Sequence, residues 1–152
     1  MALQFVPGQV ALGDPYPNAP TALSGPVKDL QCKVVKLSSA NFTTGGTNTL
    51  VAVLPADASI ISIRFWVKTA LSGGGVTSPT ASVGASSGGT DYTSALAITN
   101  TTGTYLVASP VTGIVQNYQI PLGGDLNIWF KGSCSTGNPT AGEIYMIVEY
   151  IR

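Results

Sequence analysis

Ile60-Ile61-Ser62-Ile63-Arg64-Phe65-Trp66-Val67-Lys68 is the stretch on which the fold turns. Ile61, Ile63, Phe65 and Val67 recur at a spacing of two, so an extended chain places all four on one face. The opposite face carries Ile60, Ser62, Arg64, Trp66 and Lys68, a mixed set suited to partial exposure or to a second interface. β-Branched and aromatic side chains dominate, which favours a pleated strand over a helix. The segment reads as a central strand of an all-β domain.

Working outward, residues 30–37 alternate well enough for a first strand, and residues 48–54 form a second, apolar enough to be buried on both faces. Between them, 38–47 reads as a loop that turns at Gly45-Gly46. Residues 71–103 are dominated by Gly, Ser, Thr and Ala, with turns at Gly73-Gly74-Gly75 and Gly88-Gly89. Within them 80–84 fits a short strand, and the periodicity of 93–98 fits either a helical turn or a strand. Residues 103–108, 115–120, 126–131 and 142–151 supply the remaining strands, the last running almost to Arg152. About eight short strands at even spacing, with no long helix, predict an antiparallel β-sandwich, with a jelly roll favoured.

Residues 1–29 differ in kind. They hold five of the ten prolines, Pro7, Pro15, Pro17, Pro20 and Pro26, each fixing φ and removing a backbone donor. Yet Leu3, Phe5, Val6, Val10, Leu12, Tyr16 and Leu23 are scattered through them. A solvated linker has no use for those side chains, whereas an extended arm lying against something else does. The expected organisation is therefore an extended proline-rich arm over 1–29 and a β-sandwich domain over 30–152. A neighbouring subunit is favoured over the arm's own domain as the surface it covers.

A chain of 152 residues suits one domain with a sizeable core. Hydrophobic residues make up 44% and charged residues only 9%, against about a quarter in an average protein. The surface is thus built from Ser, Thr, Gly and Asn. Seven basic and seven acidic residues cancel, which argues against a nucleic-acid partner, since such binding leans on clustered Lys and Arg. Little charge repulsion keeps free copies apart, a property that suits a member of an assembly. No basic n-region opens the chain and no run approaches the length of a membrane helix, so neither a secretion signal nor a membrane partner is expected.

The chain has no histidine, which removes the usual general base, the Ser-His-Asp and Cys-His arrangements and most metal sites. Cys32 and Cys134 have no zinc-ligand spacing; they read as two strand thiols, or as a disulfide if their strands are neighbours. Glu143 and Glu149 share a face of the last strand but lie roughly 20 Å apart, beyond the roughly 5–9.5 Å of a glycosidase pair. Asp57, Asp91 and Asp125 sit beside turns, where they act more simply as turn or cap residues. No phosphate-binding or dinucleotide-binding glycine motif is present. Neither catalysis nor a cofactor or metal is expected. Trp66 and Trp129 lie on the polar faces of their strands. They read as a sugar-stacking patch if those strands are adjacent or, as favoured, as a second core layer or subunit contact.

The proline-studded apolar arm precedes a charge-poor β domain with Leu54-Pro55-Ala56-Asp57-Ala58 ahead of its central strand. In these features the chain resembles small virion structural proteins of tailed bacteriophages, particularly head decoration (cement) proteins. The resemblance is one of style over most of the chain and includes no diagnostic motif. It implies a β-rich homotrimer, made in the host cytoplasm, that sits on the capsid surface and clamps adjacent subunits of the major capsid protein. Leu3, Phe5, Val6, Val10, Leu12, Tyr16 and Leu23 would then contact the capsid or a neighbouring protomer. Trp66, Trp129, Tyr145 and Ile147 would form a self-association or ligand face. The alternative is a receptor- or carbohydrate-binding module of a phage head fibre or tail.

Overall fold

The computed structural model describes residues 29–56, 58–107 and 125–152. The seven arm positions named above and the strand expected over 115–120 lie outside the described residues. Nine strands are present in these: β1 (Leu30–Ser38), β2 (Phe42–Thr43), β3 (Thr47–Leu54), β4 (Ser59–Ser72), β5 (Thr80–Gly84), β6 (Thr93–Ala97), β7 (Tyr105–Val107), β8 (Leu126–Ser133) and β9 (Ala141–Ile151). One short 3-10 turn, Ser39–Asn41, interrupts them.

The strands form two sheets. The first runs β1-β9-β4-β7, antiparallel throughout. In the second, β8 lies between β5 and β3, with β6 beyond β5. The two-residue β2 adds a parallel contact at Gly132 and Ser133 of β8. The sheets pack face to face, as alternation along each strand requires. Ile63, Phe65 and Val67 of β4 and Ile144, Met146 and Val148 of β9 point inward from the first sheet, and Ile128 and Phe130 of β8 and Val83 of β5 from the second. Phe130 bridges the layers: its ring lies 6.2 Å from Phe65 across the core and 5.4 Å, edge on, from Phe42.

Two expectations need correction. Ile61 does not share the core face of β4. The register against β9 shifts between Ile60 and Ser62, and the extra residue leaves Ile61 42% exposed. Such bulges reset which face a side chain takes. The segment around Val51 is likewise not buried on both faces. Among the described residues β3 pairs with β8 alone, and a register shift between Leu50 and Ala52 leaves Leu50 and Val53 turned outward, 44% and 48% exposed. The choice left open over 93–98 falls to a strand.

The sandwich has two unlike ends. At one, the β2–β3, β4–β5 and β8–β9 turns lock together. The Asn138 carboxamide oxygen accepts the Thr44 backbone N–H at 2.9 Å and the Thr44 hydroxyl at 3.0 Å, and the Thr77 and Thr136 hydroxyls meet at 2.7 Å. Gly74 makes this closeness feasible. Its φ is +57°, and a Cβ there would strike the Asn138 carbonyl oxygen. At the other end Asp29 and Arg152 exchange backbone hydrogen bonds of 2.9 and 3.2 Å. Residues 1–28 therefore join the sandwich beside the last rung of the β1–β9 ladder.

Candidate functional site

The outer face of the first sheet carries the chemistry. Register places Lys36 of β1, Tyr145 of β9, Trp66 of β4 and Tyr105 of β7 in one row across all four strands. The indole of Trp66 stacks on Tyr105 at 5.9 Å and 11° on one side and on Tyr145 at 5.5 Å and 24° on the other. The Lys68 ammonium stands 5.7 Å from the centroid of Tyr145. The next row is Val34, Ile147, Arg64 and Val107. Val34 and Val107 are among the most exposed apolar residues described.

Two carboxylates tie these rows together. Glu143 accepts Lys36 Nζ and Lys68 Nζ at 2.8 Å each and the Tyr145 hydroxyl at 2.6 Å. Those hydrogen bonds, Lys36 first, hold its carboxyl at about 2, well below the usual 4.5; the same contacts raise both lysines. Glu149 accepts the Arg64 guanidinium and, at 2.5 Å, the Ser62 hydroxyl. Glu143 is thus paired with two lysines and Glu149 with one arginine, and the two acids do not form an acid–base pair. Among the described residues no group of three or more His, Cys, Asp or Glu could hold a metal ion, and no helix is long and apolar enough to cross a membrane.

The structure therefore brings three of the expected face residues, Trp66, Tyr145 and Ile147, onto one surface. Trp129 is elsewhere. Its neighbours on β8, Ile128 and Phe130, enter the core, so Trp129 points out of the second sheet, on the far side of the sandwich. The two tryptophans cannot form one patch. Nor does Trp66 offer a stacking platform, because both faces of its indole are covered by tyrosines. Cys32 and Cys134 are free thiols: Cys32 lies exposed on β1, whereas Cys134 is buried just past the end of β8 and so is not the strand thiol expected. The Asn100 carboxamide accepts the Leu71 backbone N–H and donates to the Leu71 carbonyl, at 2.6 Å each. Tyr105 escaped sequence reading as a site residue because its place beside Trp66 depends on a pairing between distant strands. Glu143 stands two residues from Tyr145, so strand periodicity could have joined it to that face.

No family model and no curated protein matches the chain. Solved structures do. A chain of the cyanophage Pam1 capsid asymmetric unit aligns with a TM-score of 0.59 and 17% identity, over 84% of this chain and 87% of that one. A chain of the Ralstonia phage GP4 capsid aligns with a TM-score of 0.51 and 16% identity, over 82% and 84%. At these identities the likeness is one of fold.

Proposed function

We propose that the chain is a non-enzymatic structural protein of a bacteriophage virion. In this reading it binds the outside of the capsid as a homotrimer and stabilises the shell by clamping adjacent subunits of the major capsid protein. The single observation that carries the reading is the whole-domain fold likeness to chains of two phage capsids. The strand orders β1-β9-β4-β7 and β3-β8-β5-β6, in which successive strands pass between sheets except at β2–β3 and β5–β6, are those we read as a jelly roll. The chemistry supports a binding rather than a reacting role: the acids of the one charged face are consumed in ion pairs. Residues 1–29 serve as the contact arm. Many modest contacts spread along such an arm suit a shell whose subunits must be held together at several points.

Co-sedimentation with undecorated shells of the phage that encodes the chain tests this. The full chain pellets with shells and saturates at a fixed ratio, whereas residues 30–152 stay in the supernatant although folded. Pelleting of the truncated chain at the same ratio would remove the arm from the account. Failure of the full chain to pellet, with retention on a glycan column instead, would favour a receptor- or carbohydrate-binding module of a head fibre or tail.

A further inference from the structure

Sheets have edges, and an edge strand offers unpaired N–H and C=O groups to any extended segment. Soluble proteins guard such edges with charge, proline, brevity or distortion. Among the described residues, four strands of three residues or more pair on one side only, β1, β3, β6 and β7; the two-residue β2 likewise pairs β8 alone. Three are guarded. β1 carries Lys33 and Lys36, β7 is three residues long, and β6 is five residues with Ala95 at φ +47°. The fourth, β3, is Thr-Asn-Thr-Leu-Val-Ala-Val-Leu, eight residues with no charge and no proline. Its bulge between Leu50 and Ala52 bends the strand, yet Leu50 and Val53 remain about half exposed.

The chain contains a complementary segment. Met1-Ala2-Leu3-Gln4-Phe5-Val6 is six residues without charge or proline, and Pro7 ends it. Leu3 and Phe5 stand two apart, the spacing that puts both on one face of an added strand. A segment without charged side chains meeting an edge without them leaves no side-chain ion to desolvate. Residues 7–28 span up to about 70 Å when extended. The eleven-residue β9 is about 36 Å long, so the segment can leave its own sandwich altogether.

We propose that the open edge of β3 accepts residues 1–6 of a second copy as an added strand. The inference rests on the reading of residues 1–29 as a contact arm and names a surface that the arm covers. Donor and acceptor are different surfaces, so the contact is heterologous, and a threefold ring closes it without leaving a free edge or a free arm. Backbone hydrogen bonds supply the attachment, and the outward side chains set its register.

The test uses full-length chains and native mass by light scattering. Leu50→Lys/Val53→Lys charges the acceptor edge at two exposed positions; Leu3→Asp/Phe5→Asp charges the donor and leaves the sandwich untouched. The unaltered chain runs at three times 15.5 kDa, and each double variant runs as a monomer with an unchanged circular dichroism spectrum. Mixing the two variants restores a pair, because one keeps a good arm and the other a good edge. Trimers formed equally well by both variants, or no pairing on mixing, would overturn the proposal. So would an unaltered chain that is monomeric with its β3 amides already protected from exchange, which would assign the edge to the chain's own segment. Shell co-sedimentation of the same variants separates the two readings. Attachment kept while self-association is lost leaves the capsid role standing and confines the defect to the contact between copies.

Discussion

Glu143 is the residue on which the charged face depends, and its behaviour with pH is specific. Its carboxyl titrates at about 2 in the folded chain, against 4.5 for a free one. The folded state therefore binds fewer protons between these values. The contribution to stability is complete above about pH 4.5 and is lost as the pH falls towards 2. Urea midpoints of the native chain and Glu143→Gln should differ most above pH 5 and draw together progressively as the pH falls towards 2. A gap independent of pH would contradict the ion-pair assignment. Added salt should narrow the gap at neutral pH, because water reaches these side chains.

Two further residues carry weight by shape. Trp66→Ala removes both ring contacts of the row and should lower stability by about 1–3 kcal/mol, measured by urea denaturation. Gly132 is a tighter case. A Cβ there would meet the Asn41 carbonyl oxygen and stand 2.8 Å from the Phe42 ring and 3.0 Å from the Phe130 ring. Gly132→Ala should cost about 1–3 kcal/mol through overpacking. That requirement is invisible in the sequence, where Lys131-Gly132-Ser133 looks like an ordinary strand end. The partition of Trp66 and Tyr145 to outer faces, by contrast, is legible from alternation alone.

At the scale of elements, the strands themselves were readable because their apolar residues alternate and glycines separate them. β1, β4, β5, β8 and β9 fall where periodicity puts them, within a few residues at their ends. The two misassigned faces, at Ile61 and around Val51, share one cause. Bulges at Ile60/Ser62 and Leu50/Ala52 shift the alternation by one residue, and a shift of one exchanges the two faces. β2 is too short to show a period and exists because Phe42 fills the space beside Phe130. Sheet order is a matter of long-range pairing, so the separation of Trp66 from Trp129 could not be read from local pattern. The pairing scheme predicts a hierarchy of amide exchange. β9 and β4, each bonded on both sides, should exchange slowest, and the three-residue β7 fastest. Fast exchange in β9 would mean that the first sheet is not held as described.

At the scale of the molecule, the sandwich separates its tasks by face and end. The first sheet turns outward a face of closed ion pairs and stacked rings, and the second an almost uncharged one around Trp129. One end is locked through Asn138, and at the other Asp29 and Arg152 exchange backbone hydrogen bonds. Among the described residues, five of the charged side chains, Lys36, Lys68, Glu143, Arg64 and Glu149, meet in ion pairs on the outer face of the first sheet. The measurement that bears most directly on the account is electron cryomicroscopy of shells mixed with the full chain. The account predicts density for the β-sandwich in threes on the outer surface of the coat lattice, with the residues preceding Asp29 running onto adjacent subunits. Bare shells at saturating chain, or density confined to a fibre or tail, would contradict it.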